Sequence, residues 1–256
     1  MSKDQIPLRD KLIAAAYEAG AAIMRVYAGD FASSRKADKS PVTEADVAAE
    51  KLILAALRQG APEIPVIAEE QAAAEGLPAT AAQRFFLVDP LDGTKEFIAR
   101  NGEFTVNIAL IEAGVPVLGV VFVPALDEMY AGCNGLAVRR HAGTQAAIAA
   151  RTLPAAGATM TISRSHAARE LVKVEELGEH VADTVVAGSS LKFCRIAEGM
   201  ADLYPRFGPT MEWDTAAGHA VLLAAGGSVA TLDGVPLAYG KPGFRNPHFI
   251  ARGRRS

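Results

Sequence analysis

Acidic residues fall in three short clusters, each at the end of an apolar segment or at the start of a helical one. The clusters are Glu69-Glu70, the pair Asp89 and Asp92, and Asp214 after Trp213. Carboxylates at strand ends converge at the edge of a sheet, where α/β proteins bind ligands. Crowded carboxylates repel one another, and ligation by oxygen alone favours Mg²⁺, Mn²⁺ or Ca²⁺ over Zn²⁺. A single acid has simpler explanations, since Asp214 would equally serve as a helix N-cap.

The segment Val88-Asp-Pro-Leu-Asp-Gly-Thr94 carries the most specific pattern. Proline fixes φ, and Gly93 permits conformations closed to other residues, so both carboxylates and the Leu91 carbonyl can face one point. The amides of Gly93 and Thr94 would begin a helix over Lys95–Ile98, and a helix start favours anions such as phosphate. The alternative is an ordinary proline-glycine turn before a helix.

Together, metal-binding acids beside a phosphate-binding helix start predict a metal-assisted phosphatase. The spacing Asp-x-x-Asp-x-Thr differs from the Asp-x-Asp-x-Thr of aspartyl-phosphate enzymes, which disfavours a covalent phosphoenzyme. No glycine-rich loop ending in Lys-Ser/Thr occurs, which disfavours a nucleotide-driven kinase or NTPase.

Two helices are predicted before the first acidic cluster. Leu8 to Tyr27 has apolar residues at spacings of three and four. Thr43-Glu-Ala-Asp46 resembles a capping box that opens a second helix ending near Leu57. Asp46 would therefore act as a capping acid on sequence grounds alone.

Short strands are predicted to carry the acids in the first half of the chain. Pro65–Ala68 and Phe85–Val88 are apolar and end in acidic residues, while Ala113-Gly114 joins two longer strands in an antiparallel hairpin. The predicted hairpin strands are Thr105–Ile111 and Val115–Val123, followed by a further strand at Glu128–Ala131.

The second half is predicted to alternate strands and helices, which indicates an α/β arrangement after a more antiparallel α+β half. Residues 134–158 are rich in glycine, alanine and threonine with weak periodicity, so we place the boundary between halves there. The division predicted is 1–150, carrying most metal ligands, and 151–256. The predicted elements are strands at 159–163, 184–186, 201–204 and 228–231, and helices at 167–177, 191–198 and 214–225.

Composition limits the classes of function. The 256 residues include 26 basic and 29 acidic side chains, a formal charge of -3, so no nucleic-acid partner is expected. No apolar run approaches the ~20 residues that cross a bilayer, which predicts a cytoplasmic protein. Cys133 and Cys194 lack metal-ligand spacing and are predicted to be reduced thiols.

Four stretches make the chain similar to the inositol monophosphatase superfamily, and within it to the bacterial bisphosphate nucleotidases of sulfur assimilation. They span nearly the whole chain: Ser40-Pro-Val-Thr-Glu-Ala-Asp46, residues 88–107, Gly188-Ser-Ser-Leu-Lys-Phe-Cys194, and residues 201–219 with Trp213-Asp-Thr-Ala-Ala-Gly. Ala68 departs from the Ser or Gly that relatives often carry before the acidic pair. The resemblance implies a layered α-β-α-β-α sandwich with the site between its two halves.

The resemblance also implies roles for the acids. Glu69, Asp89, Asp92, Asp214 and the Leu91 carbonyl would ligate magnesium, in about two or three ions. Glu70 would act through a water-mediated contact. Thr94 would orient the attacking water and bind the phosphate, while Asp46 would pair with Thr94 and draw its proton away.

Substrate contacts are implied mainly in the second half. Gly93 and Thr94 would meet the reacting phosphate, Ser189 and Lys192 a phosphate and the ribose, Arg206 the second phosphate, and His166 the base or its phosphate. From the residues alone, Lys192 would instead be a solvated helix lysine and His166 a surface residue at a helix start.

The function implied is a magnesium-dependent phosphomonoesterase that removes the 3′-phosphate of adenosine 3′,5′-bisphosphate, giving AMP and phosphate. The resemblance extends this to 3′-phosphoadenylyl sulfate, to inhibition by lithium, and to peripheral association with the inner face of the cell membrane. No obligate protein partner is expected. Alternatives are an inositol or fructose-1,6-bisphosphate phosphatase on the same fold, and an inactive nucleotide- or metal-binding sensor.

Overall fold

The structure is a computed structural model that describes residues 5–30, 33–35, 41–163 and 167–254. Its helices are α1 (Gln5–Ala28), α2 (Glu44–Gly60), α3 (Glu69–Glu75), α4 (Thr94–Ile98), α5 (Ala167–Glu176), α6 (Leu191–Ala197) and α7 (Trp213–Ala224). Its strands are β1 (Ser33–Arg35), β2 (Pro41–Thr43), β3 (Val66–Ala68), β4 (Arg84–Asp92), β5 (Thr105–Glu112), β6 (Val115–Val123), β7 (Glu128–Cys133), β8 (Leu136–His141), β9 (Thr144–Ile148), β10 (Ala158–Ile162), β11 (Val181–Val186), β12 (Leu203–Arg206), β13 (Ser228–Thr231) and β14 (Phe249–Arg252).

Two sheets hold most of the strands. The larger sheet has the order β3-β4-β5-β6-β7-β8-β9, with β3 parallel to β4 and every other pair antiparallel. The smaller sheet has the order β11-β10-β12-β14-β13. In it, β10 is parallel to both neighbours, whereas β14 runs antiparallel to β12 and β13. The short strands β1 and β2 form an antiparallel pair outside these two sheets.

The central strands of the larger sheet are buried on both faces, so they are apolar along nearly their whole length. On β4, Phe86 and Val88 belong to the apolar cluster under α1 and α2, while Phe85 and Leu87 belong to the cluster that includes α6 and α7. That second cluster continues to the smaller sheet, whose other face packs on α5. The layers therefore run α-β-α-β-α, which confirms the predicted fold.

Two local sequence signals are confirmed. Thr43 caps α2, its hydroxyl accepting from the Ala45 amide at 3.2 Å while Asp46 accepts from the Thr43 amide at 2.8 Å. Ala113 and Gly114 have φ values of 49° and 79°, the left-handed pair that a two-residue hairpin turn needs.

Residues 134–158, where weak periodicity placed the boundary between the two halves, contain regular strands that the sequence did not reveal. This stretch forms β8 and β9, which extend the larger sheet as an antiparallel meander. The side chains of β9 are almost all exposed, so no apolar alternation marks it. The sequence also did not reveal β14, which lies between β12 and β13 in the smaller sheet.

The strands of the larger sheet lie within residues 66–148 and those of the smaller sheet within residues 158–252. The division near residue 150 stays a prediction, because α7 packs on β5, β6 and β7 although it belongs to the second half. In the described part of the chain, no helix combines the length and the apolar character needed to span a membrane. Cys133 and Cys194 are both buried and free, in agreement with the predicted thiols.

Helix α7 approaches the larger sheet closely at Gly119 and Gly132. A Cβ at Gly119 would clash with the Ala217 carbonyl oxygen, and one at Gly132 would lie 2.7 Å from the Val221 Cα. We expect Gly119→Ala to lower the free energy of unfolding by about 1–3 kcal/mol, because overpacking forces the backbone of α7 to move. Urea unfolding measures this.

Gly29→Ala is the control for that substitution, since the nearest atom to its Cβ, the Val26 carbonyl oxygen, is 3.7 Å away. Equal stability of Gly119→Ala and Gly29→Ala would contradict the close approach of α7.

Candidate active site

The ends of β4, α3 and α7 surround a cavity of about 1000 Å³. Seven of the predicted site residues line it: Glu69, Asp89, Leu91, Asp92, Gly93, Thr94 and Asp214. The remaining wall is formed by Lys95, Glu96, residues 208–211 and residues 245–248. Asp46, Glu70, Ser189, Lys192 and Arg206 lie outside the cavity lining, and His166 lies outside the described residues.

Asp89 and Asp92 lie on either side of an irregularity in strand β4. The pairing of β4 with β5 shifts register between Asp89 and Asp92, so the strand continues where a turn was the simpler expectation. The Asp89 carboxylate accepts a hydrogen bond from the Leu91 amide at 3.0 Å. This local bond bends the Asp-Pro-Leu-Asp segment and holds the buried Asp89 side chain in one orientation.

The carboxylates lie within electrostatic reach of one another. Burial raises the pKa of Asp89 well above its usual range, and the charges of Glu69, Asp92 and Asp214 raise it further. Burial likewise raises the pKa of Asp214, with Asp92 and Glu69 adding to the effect. Burial raises the pKa of Asp92 to about 6, opposed by nearby Lys192. Mutual repulsion of this kind is what a cation relieves.

The predicted metal ligands fit a hard divalent cation, because all of them offer carboxylate or carbonyl oxygens. They are Glu69, Asp89, Asp92, Asp214 and the Leu91 carbonyl. Within the described ranges, no group of three or more His, Cys, Asp or Glu side chains is already arranged to hold a metal ion. The fold brings the four predicted carboxylate ligands to the lining of one cavity.

Gly93 forms the corner between β4 and α4. Its φ of 92° is left-handed, and a Cβ at this position would clash with the Ser189 hydroxyl. Only glycine fits this turn without strain, because both the backbone conformation and the space exclude a side chain. The corner brings Thr94 into the cavity wall at the first residue of α4.

Asp46 combines the two roles that the sequence left open. One carboxylate oxygen accepts hydrogen bonds from the Thr43 amide and hydroxyl, at 2.8 and 2.7 Å. The other accepts from the Thr94 hydroxyl at 3.3 Å. Asp46 thus completes the cap of α2 and orients the hydroxyl of Thr94 at the same time.

The start of α6 connects Asp92 to Asp214. The Ser190 amide donates to the Asp92 carboxylate at 2.8 Å, and the Ser190 hydroxyl donates to the Asp214 carbonyl at 2.6 Å. The Ser189 hydroxyl donates to the Asp92 carbonyl at 2.9 Å. Sequence reasoning missed Ser190, although it lies in the Gly-Ser-Ser stretch that was singled out.

Lys192 is buried, so the interpretation of it as a solvated helix lysine is wrong. Its ammonium group donates to the Ala187 carbonyl at 3.3 Å and lies 5.2 Å from the centre of the Tyr204 ring. Burial lowers its pKa, while the charge of Asp92 raises it. In this position Lys192 offsets the negative charge of Asp92 from behind the cavity wall.

Arg206 lies beside a segment of the cavity wall. Its Nη2 donates to the Pro209 carbonyl at 3.1 Å, whereas its buried Nε has no hydrogen-bond partner among the described residues. Gly208 and Pro209 line the cavity next to it. A guanidinium group with spare donors at this place suits an anionic ligand.

Sequence reasoning missed a further part of the cavity lining, formed by Arg245, Asn246, Pro247 and His248. Asn246 fixes this segment by donating to the Met211 carbonyl at 2.8 Å and the Thr215 hydroxyl at 2.9 Å. No sequence motif marks these residues, which follow the short turn at Pro242–Phe244.

Comparisons with known proteins identify the family of the chain. The model of the inositol monophosphatase family matches residues 4–252. The chain is 52% identical over 246 residues to the 3′(2′),5′-bisphosphate nucleotidase CysQ of Shigella flexneri, covering 94% of this chain and 97% of that protein. The protein of the same name from Escherichia coli K12 is 51% identical over 246 residues, with the same coverage of 94% and 97%.

A solved structure has the same fold over nearly the full length. The crystal structure of CysQ from Bacteroides thetaiotaomicron, described as a bacterial member of the inositol monophosphatase family, matches with a TM-score of 0.80 and 37% identity over 98% of both chains. With the family model matching almost every residue and the carboxylate cavity in place, the chain belongs to the inositol monophosphatase family.

Proposed function

We propose that this protein is a 3′(2′),5′-bisphosphate nucleotidase that removes the 3′-phosphate of adenosine 3′,5′-bisphosphate to give AMP and phosphate. The observation that carries the proposal is identity of 51–52% over 94% of the chain to nucleotidases of that name. The cavity supports it, because its lining combines the four predicted carboxylate ligands with the basic side chains of Lys95, Arg245 and His248. Its volume of about 1000 Å³ accommodates a nucleotide.

Enzymes of this family depend on a metal ion, typically Mg²⁺. Glu69, Asp89, Asp92, Asp214 and the Leu91 carbonyl would hold Mg²⁺ here, in about two or three ions. When bound, magnesium would lower the pKa of a water molecule and neutralise charge on the leaving oxygen. The protein supplies the fixed oxygen donors on three separate elements, β4, α3 and α7.

Thr94 and Asp46 prepare the nucleophile. The Thr94 hydroxyl donates to Asp46, so its oxygen can accept a hydrogen bond from the attacking water and orient it. As the water attacks, its proton would pass to Thr94 while the Thr94 proton passes to Asp46. Glu70 would contribute through a further water-mediated contact. The attack is direct and in line with the leaving oxygen, without a phosphoenzyme.

The substrate would be held from both sides of the cavity. Gly93 and Thr94 would contact the reacting phosphate, and Arg206 the 5′-phosphate. Ser189 and the buried Lys192 lie outside the cavity lining, so they would support Asp92 rather than contact the ribose and a phosphate as the resemblance implies. His166 is a further candidate for the base, and the same site would accept 3′-phosphoadenylyl sulfate. Arg245 and His248, which also line the cavity, are additional candidates for recognising the nucleotide.

The proposal is tested by phosphate release from adenosine 3′,5′-bisphosphate, inositol 1-phosphate, fructose 1,6-bisphosphate and AMP, with Mg²⁺ and then with a chelator. We expect adenosine 3′,5′-bisphosphate to have the highest kcat/KM and the chelator to abolish turnover. A preference for inositol 1-phosphate or fructose 1,6-bisphosphate would contradict the nucleotidase assignment and indicate a related phosphatase of the same fold. Nucleotide binding without any phosphate release would indicate an inactive sensor.

Arg206→Ala tests recognition of the second phosphate. We expect kcat/KM for adenosine 3′,5′-bisphosphate to fall by roughly 10- to 100-fold, since a charge-assisted hydrogen bond contributes about 1.5–3 kcal/mol. Hydrolysis of 3′-AMP, which has no 5′-phosphate, should be nearly unchanged. Steady-state kinetics of both substrates measure this difference.

Arg84→Ala is the control, because Arg84 is exposed at the start of β4 and pairs with Glu112 at 3.0 Å, away from the cavity. An equal loss on both substrates in Arg206→Ala would contradict the assignment of Arg206 to the 5′-phosphate.

A further inference from the structure

Glu50 is a buried carboxylate behind the cavity that none of the roles above uses. It lies on α2, and only 5% of its surface is exposed. Its two oxygens accept hydrogen bonds from the backbone amides of Glu70 at 2.7 Å and Gln71 at 2.8 Å. Both amides belong to the first turn of α3, the helix that begins at Glu69.

Helix α3 has no cap of its own. The residue before it is Ala68, which offers no side-chain hydrogen bond to the first turn. The first amides of a helix have no intrahelical acceptor and carry partial positive charge. Glu50 therefore supplies, from a neighbouring helix, the acceptor and the negative charge that a capping residue would otherwise provide.

Glu50 lies one turn after Asp46 on α2, so the two carboxylates share one face of that helix. Asp46 accepts from Thr94, at the corner between β4 and α4, while Glu50 accepts from the start of α3. A single rigid helix thus sets the distance between two parts of the cavity wall. Glu69 is the residue of α3 that reaches the cavity.

We propose that Glu50 is a positioning residue that sets the affinity of the site for a divalent cation by fixing Glu69 against Asp89. The inference rests on the proposed function, in which Glu69 and Asp89 hold magnesium. Without Glu50, the first turn of α3 loses both external acceptors and the Glu69 carboxylate samples more positions. Groups that orient metal ligands typically affect metal affinity by about 10- to 100-fold when they are replaced.

The test compares Glu50→Gln and Glu50→Asp with wild type. Glutamine keeps the size but loses the charge and turns an amide NH₂ toward one of the two donors. Aspartate keeps the charge but shortens the reach. Isothermal titration with Mg²⁺ alone should show affinity weakened by about 10- to 100-fold in Glu50→Gln and by a smaller factor in Glu50→Asp.

Activity provides the second readout. The Mg²⁺ concentration at half-maximal rate should rise by the same factor as the dissociation constant, while kcat at saturating Mg²⁺ stays within a few-fold of wild type. If Glu50 only stabilised the fold, its replacement would not weaken Mg²⁺ binding while leaving kcat at saturating Mg²⁺ unchanged. If Glu50→Gln does not fold, Glu50→Asp carries the same comparison.

Asp202→Asn is the matched control. Asp202 is equally buried and accepts from the Thr159 amide at 2.8 Å and from Arg151 at 2.7 Å, but it does not line the cavity. We expect Asp202→Asn to lower stability without changing Mg²⁺ affinity. Unchanged Mg²⁺ affinity in the Glu50 variants, or an equal loss in Asp202→Asn, would overturn the inference. A wild type that neither binds Mg²⁺ nor releases phosphate would instead contradict the proposed function.

Discussion

Replacing Asp89 by Asn is expected to lower kcat for adenosine 3′,5′-bisphosphate at least ~100-fold, because fixed electrostatics and metal coordination supply several kcal/mol of barrier lowering. Asp89 is buried among three other carboxylates of the cavity, so the substitution removes one charged donor with little change of shape. Asp214→Asn should have a similar effect. Rates measured over a wide range of Mg²⁺ concentrations test both substitutions.

Asp202→Asn controls for the loss of a buried carboxylate, since its contacts to Arg151 and Thr159 lie outside the cavity lining. It should keep near-normal kcat at a lower stability. A rate close to that of wild type for Asp89→Asn at saturating Mg²⁺ would contradict the assignment of Asp89 as a metal ligand.

Thr94→Val is the second substitution with a large expected effect. It removes the hydroxyl that donates to Asp46 at 3.3 Å and keeps a β-branched side chain at the first residue of α4. We expect kcat to fall by roughly 10²- to 10³-fold, in the range of positioned proton-transfer groups, with little change in KM. Single-turnover measurements with excess enzyme separate this chemical step from product release.

Thr94→Ser retains the hydroxyl and should recover most of the rate. Thr43→Ala is a further control, because it breaks the hydroxyl contact to Asp46 in the cap of α2 without removing the hydroxyl of Thr94. If Thr94→Val turns over as fast as Thr94→Ser, the hydroxyl does not orient the nucleophile.

Elements with strong local signals were predictable from the sequence. The capping box at Thr43 and the hairpin at Ala113-Gly114 each depend on contacts within a few residues, so the sequence contains their cause. Strand β9 pairs with β8 only and exposes its side chains. Its sequence therefore lacks the apolar alternation that would have predicted a strand. Strand β14 is short and gains its place from two neighbours distant in sequence.

The same distinction between local and distant causes applies to the site residues. The acids and Gly93 occur in recognisable spacings, and the structure places Glu69, Asp89, Asp92, Thr94 and Asp214 around one cavity. The burial of Lys192 was not predictable, because it results from Tyr204 and Ala187 packing around the ammonium group. Glu50 was also missed, since its partners are backbone amides twenty residues away that no side-chain pattern reveals.

The apolar cluster between the sheets has a consequence for how the molecule unfolds. It contains Phe85 and Tyr130 from the larger sheet, Val229 and Phe249 from the smaller one, and Val221 from the helix between them. Losing either sheet would expose the apolar face of the other to water. We therefore expect the two halves to unfold together, and a segment cut at residue 150 to present an uncovered sheet face prone to self-association.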